Sequence, residues 1–171
     1  IAEREIRNVL EGTRTLLEHS GLQNSYWPYA SRCFCHHANI RMVEGDCAWH
    51  KRHKEGHFKG EIIPFGALID FRPPKPILSM FPKFEKRSLP GIFLGYHLMS
   101  GERLYGDYLV APLQDFRSPP TGGVRVCRVA EIIVDTAEKY RFPLREYKDK
   151  TERSLENTEI NYTHMFADKT G

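Results

Sequence analysis

The sequence has little surplus charge: 25 Lys and Arg stand against 22 Asp and Glu, for a formal net charge of +3. That excludes a diffuse polycationic coat, so any surface that meets a polyanion must come from local clustering. No apolar run approaches the length of a membrane span, which removes the membrane from the expected partners. The four cysteines include no C-x-x-C pair, and no signal-type apolar stretch begins the chain. A reducing, intracellular setting is expected. No internal repeat is visible. The first residues, Ile-Ala-Glu-Arg, already sit inside a helical pattern and lack an initiating Met, so the chain is expected to be a fragment of something longer.

What is present divides by periodicity. Ile6, Val9, Leu10, Leu16 and Leu17 recur at helical spacing between Glu3 and His19, and Gly21 follows as a C-cap. A second helix is expected from Ser25 as N-cap, with Pro28 in its first turn. Trp27, Ala30, Phe34 and Ala38 form its expected packing stripe. The segment from Arg41 to Gly60 is polar, basic and glycine-punctuated, and reads as an exposed loop or short helix.

From Ile62 the pattern turns to strands. "IIPFGALIDF" is one, broken by Pro64 and Gly66. "GIFLGYHL", "YGDYLVAPL" and "VRVCRVAEIIVD" supply three more, the first two joined at Ser100-Gly101. Gly91 and Gly95 allow close strand approach or a bulge. Between the first and second strands runs "RPPKPILSMFPKFEKRSLP", a proline-rich basic connector. After Arg141 the apolar density falls, and Tyr147 to Gly171 reads as a solvated tail with at most one marginal helical turn.

Five motifs in order, two of them in the first stretch, carry a resemblance. "IAEREIRNVLEGTRTLLEHSGLQNSYWPYA" resembles the last helices of the catalytic core of Copia-type retrotransposon integrases. "FGALIDF", "KFEKRSLPGIFLGYHLMSGERLYGDYLV" and "VRVCRVAEIIVD" resemble the SH3-like module that follows in those Pol polyproteins. The likeness covers roughly Ile1 to Asp135. It departs at Cys127-Arg128-Val129-Ala130, where the family has Ser-Arg-Asp-Val, and in the longer "RPPKPILSMF" insertion, as in a divergent branch.

The resemblance implies an α+β chain: helices ending an RNase H-like core and a basic His-rich loop over 1–60, a small antiparallel SH3-like β-barrel over 61–140, and a polar tail over 141–171. It implies a part in DNA integration, with DNA and other integrase protomers as partners, no small-molecule substrate, and residence in a cytoplasmic particle and the nucleus. Polynucleotidyl transfer uses divalent ions held by clustered carboxylates, here Mg²⁺ or Mn²⁺. Glu3 matches the family's catalytic, metal-binding Glu. The two partner aspartates lie outside this chain, so alone it is not expected to catalyse.

Helical geometry places Glu3, Arg7, Leu10 and Arg14 on one stripe. Arg7 and Arg14 would then line the approach of a phosphate backbone. Read from the residues alone, Glu3 and Arg7 are an ordinary i,i+4 pair worth ~0.3 kcal/mol. Lys83, Lys86 and Arg87 are candidate phosphate contacts. Phe81 and Phe84, interleaved with them, are expected to plug the open end of the barrel.

Cys33, Cys35, His36, His37, Cys47, His50, His53 and His57 crowd into a short stretch. Cys33, His37, Cys47, His50, His53 and His57 are the candidate zinc ligands. Their spacing is irregular, and His37 shares the expected packing face of the second helix. The fragment is therefore expected to hold less than stoichiometric zinc. Two other readings stay open: a non-enzymatic DNA- or protein-binding module from a degenerate or domesticated element, and a small zinc-dependent nucleic-acid-binding protein.

Overall fold

A computed structural model describes residues 1–134 and 139–154. The chain is mixed: helices first, then an antiparallel sheet of five strands, then a closing helix. Helix α1 spans Ala2–Ser20, and Gly21 ends it in the left-handed conformation (φ 73°), its N–H donating to the carbonyls of Leu17 and Glu18. A 3₁₀ turn over Asn24–Tyr26 leads into α2, Trp27–Ile40. Ser25 makes no cap: the residue before α2 is Tyr26, and Pro28 sits in the first turn, where a missing N–H costs nothing.

The buried stripe of α2 is Ala30, Cys33, His36 and Ile40, rotated away from the expected one. Trp27 is 60% exposed, Ala38 is exposed and Phe34 only half-buried. The buried histidine is thus His36. In α1, Leu17 reaches the core, whereas Ile6 and Leu10 are exposed.

The sheet contains β1 (Leu68–Phe71), β2 (Leu89–Leu98), β3 (Leu104–Pro112), β4 (Cys127–Val129) and β5 (Ile132–Ile133), in the order β4-β3-β2-β1-β5. The expected first strand is only its last four residues, because Pro64 and Gly66 interrupt the ladder before it. Ile63 and Phe65 are nevertheless buried as core. The last expected strand is two, β4 and β5, at opposite edges of the sheet. Two residues, Ala130 and Glu131, separate them. Three residue steps reach about 11 Å, while four flat interstrand gaps would need about 19 Å. The sheet must therefore curl strongly. Among the described residues no ladder joins β4 to β5, so the sheet is not closed.

β2 is the central strand, and Gly91 through Tyr96 are buried on both faces. The register shift between Phe93 and Gly95 is the bulge that the sequence allowed, and Cys33 of α2 lies against it. Phe65, Phe71, Phe93, Ile92, Leu94 and Val110 fill the core. Ser100-Gly101 lies within the β2–β3 turn, where the Met99 N–H donates to the Arg103 carbonyl at 2.8 Å.

The segment after Arg141 departs from the expected tail. Residues 143–154 form a helix, α6, packed against the end of α1. Arg145 Nη1 donates to the Glu18 carbonyl at 3.0 Å, satisfying a C-terminal acceptor of α1. His19 meets Phe142 edge-on, and the Leu68 N–H donates to the Arg141 carbonyl at 2.8 Å. The remaining tail, 155–171, lies outside the described residues. No described helix is long and apolar enough to cross a membrane.

Candidate functional site

The basic connector leaves the sheet at one point and returns beside it. Phe71 pairs with Leu89, so residues 72–88 form an excursion between paired strand ends. Pro73 and Pro74 prevent the strand from continuing, and Lys75–Leu78 make a single helical turn, α4. Ser79 Oγ donates to the Pro76 carbonyl at 2.8 Å and closes that turn. Beyond it, residues 82–87 are all exposed.

Phe84 does not take the expected place at the open end of a barrel; it is 95% exposed. Lys83 Nζ lies 5.9 Å from the centre of its ring, in cation–π range. Phe81 is half-buried. Lys86 Nζ is 2.5 Å from Asp70 Oδ2 on β1, so this cation anchors the connector and is partly neutralised. Among the described residues Lys83 and Arg87 have no ion-pair partner. The surface thus offers two cations and an aromatic face to solvent.

Glu3 lies in the first turn of α1 with its side chain 91% exposed, 3.8 Å from Arg7 Nη2. Arg14 shares a shallow surface depression with Glu18, His19 and Arg145. Mg²⁺ requires several oxygen ligands. Among the described residues Glu3 belongs to no group of three ligating side chains, so these residues do not by themselves make a magnesium site.

The six zinc candidates do not share one coordination sphere. Cys33 is buried, which pushes its thiol up to about 12, and its Sγ lies 3.8 Å from His37 Nε2. Cys47 begins helix α3 (Ala48–His53), its Sγ accepting the His50 N–H at 3.4 Å. His53 packs on Trp49 at 5.0 Å between ring centres. His50 and His57 do come together, with ring centres 4.5 Å apart, and their third neighbour is Asp46. His57 Nε2 is 3.2 Å from Asp46 Oδ1. Asp46, a carboxylate, carries no signal in the Cys/His spacing.

Two further features had no sequence signal. Asp115 of α5 (Leu113–Arg117) has a side chain only 3% exposed. It accepts three hydrogen bonds from Arg125: backbone N at 3.0 Å, Nε at 2.8 Å and Nη2 at 2.7 Å. An open groove of about 860 Å³ lies between the α1–α2 turn, α5 and α6, floored by Tyr26, Tyr29, Phe116, Leu144 and Tyr147. It shares no residue with the basic connector or the Glu3 face. Comparison with family models, with curated proteins and with solved structures gives no match to this chain.

Proposed function

We propose that this chain binds DNA as part of a Copia-type retrotransposon integrase, carrying the last helices of an RNase H-like core and an SH3-like β-barrel. The observation that carries the reading is the exposed Phe84 set among Lys83, Lys86 and Arg87. An aromatic face costs free energy when left in water, and cations beside it suit stacking on bases together with phosphate contact. The sheet order is compatible with an SH3-like barrel, since β4 and β5 flank a strongly curled sheet two residues apart. The exposed Ile6, Leu10 and Trp27 support packing of α1 and α2 on a further body, a core or another protomer.

In this reading Glu3 is the one carboxylate the chain contributes to a metal site completed by other segments, and Arg7 and Arg14 line the DNA approach. The assembly would work in a cytoplasmic particle and the nucleus. Taken alone, the chain is a binding module, because Glu3 stands apart from any ligand group among the described residues.

Anisotropy titrations of single-stranded and duplex oligonucleotides test the reading. Base stacking on an aromatic side chain contributes about 1–3 kcal/mol. Phe84→Ala should therefore weaken single-strand binding at least fivefold and duplex binding less. Equal affinity of the parent chain and the variant for single strands would remove the proposal's main support.

A further inference from the structure

We propose that Asp46, His50 and His57 form a binding site for one divalent transition-metal ion of the zinc class. Two imidazoles and a carboxylate are a donor set for zinc and its neighbours in the first row, and a poor one for Mg²⁺ or Ca²⁺. One ligand atom from each residue lies within 4.8 Å of the other two. One such pair, His57 Nε2 and Asp46 Oδ1, is 3.2 Å apart. Bonds of 2.0–2.1 Å in a tetrahedron put neighbouring ligands about 3.3 Å apart. That pair already stands at the required separation, and the remaining edges, none above 4.8 Å, must close by at most about 1.5 Å.

The local fold builds this arrangement from both sides. Val43 and Asp46 exchange backbone hydrogen bonds of 2.8 and 3.1 Å around Glu44-Gly45. Both turn residues have positive φ, as in a two-residue hairpin, and the turn fixes Asp46 just before α3. The Cys47 cap then starts the helix and sets His50 in its first turn. Lys54 ends α3 in the left-handed conformation (φ 59°), and the chain returns to lay His57 against His50.

Hydrogen bonding within the protein does not account for the whole group. The Asp46–His57 contact occupies those two side chains, but His50 Nδ1 is buried with no hydrogen-bond partner among the described residues. An orphaned buried nitrogen is costly, and a bound ion would order the same three side chains. The Cys47 N–H donates to Asp46 Oδ1 at 2.7 Å and fixes this carboxylate beside His57. His57 and Asp46 are partly exposed, at 43% and 34% of their side chains. The fourth position would therefore face solvent and take water or an oxygen donor from a partner. Such a site lies on a surface loop and supports no core. This differs from the low zinc occupancy expected from the Cys/His spacing, a pattern to which Asp46 does not belong.

The test is calorimetric titration of the full chain with Zn²⁺, paired with the visible spectrum of its Co²⁺ form. One ion per chain is expected, with ligand-field bands and no thiolate-to-metal charge-transfer band. His57→Ala and Asp46→Asn should each weaken Zn²⁺ binding at least tenfold, about 1.4 kcal/mol or more. Both positions are partly exposed, and far-ultraviolet circular dichroism should confirm an intact fold. Cys47→Ser keeps a helix cap and should bind as the parent does, as should Cys33→Ala. No stoichiometric binding, a thiolate band, or unchanged affinity in His57→Ala would each overturn the assignment.

Discussion

Gly66, in the bend before β1, lies directly against Ser20, the last residue of α1: a β-carbon on Gly66 would stand 2.2 Å from the Ser20 Cβ. The same glycine has φ +82°, and its N–H donates to the Phe93 carbonyl at 2.8 Å. This contact ties the helical pair to the central strand. Gly66→Ala adds left-handed strain of about 1–2 kcal/mol and an overpacking cost of similar size. A loss of about 3 kcal/mol is expected from the denaturant midpoint at unchanged m-value. A loss under about 1 kcal/mol would mean that the two elements separate freely.

His36 should make the fold acid-sensitive. Its ring is 1% exposed, its two nitrogens lack hydrogen-bond partners among the described residues, and Tyr96 lies 4.7 Å away between ring centres. Burial, with a smaller contribution from the neighbouring His37, pushes its pKa down to about 4. Below about pH 6.5 the unfolded chain takes up a proton that the folded chain refuses, so stability falls as pH drops from there toward 4. The slope contributed is at most about 1.4 kcal/mol per pH unit. His36→Phe, which buries no polar nitrogen, should remove that component from a stability-versus-pH series. An identical slope in the variant would show that His36 is protonated in the folded state.

The Asp115–Arg125 pair should hold the loop between α5 and β4. Arg125 donates side-chain and backbone hydrogen bonds to this carboxylate and keeps it below the usual carboxylate range. Charge-assisted hydrogen bonds contribute about 1.5–3 kcal/mol, discounted here because Arg125 is more than half exposed. Asp115→Ala is expected to cost about 2 kcal/mol, with faster amide exchange across 117–126. The pair's contribution is complete above the ordinary carboxyl pKa of about 4 and is lost as pH falls through the lower folded value. Parent-like exchange in the variant would show that the loop is held by other contacts.

Local grammar made some of this legible. Gly21 after an amphipathic run marked the end of α1, and "GIFLGYHL" and "YGDYLVAP" marked the central hairpin. Each of these signals lies within one element. What failed depended on partners distant in sequence. The stripe of α2 turned because Cys33 and His36 pack on Gly95 and Tyr96 as small or neutral groups, although both residue types also read as metal ligands. Helix 143–154 reads as polar because its anchors are ion pairs to Glu18 and a few apolar contacts, without a hydrophobic stripe. Phe84 looked like core because isolated phenylalanines usually are. Prolines 73, 74, 76 and 82 mark the connector in the sequence, but nothing local shows that residues 82–87 stand clear of the sheet. At the candidate metal site, His50 and His57 were legible, while Asp46 came only with the turn at Glu44-Gly45.

The most direct measurement is the salt dependence of duplex DNA binding by the parent chain and by the Lys83→Ala/Arg87→Ala double variant. Each phosphate contact releases condensed counterions, contributing about 0.9 to the slope of log affinity against log salt. Lys83 and Arg87 are unpaired among the described residues, while Lys86 is held by Asp70. The double variant should therefore lose nearly two units of slope and weaken unrelated sequences alike, with unchanged far-ultraviolet circular dichroism. Adding Lys86→Ala should remove less than one further unit. A slope unaltered in the double variant would contradict DNA contact through the connector and leave it a solvated loop.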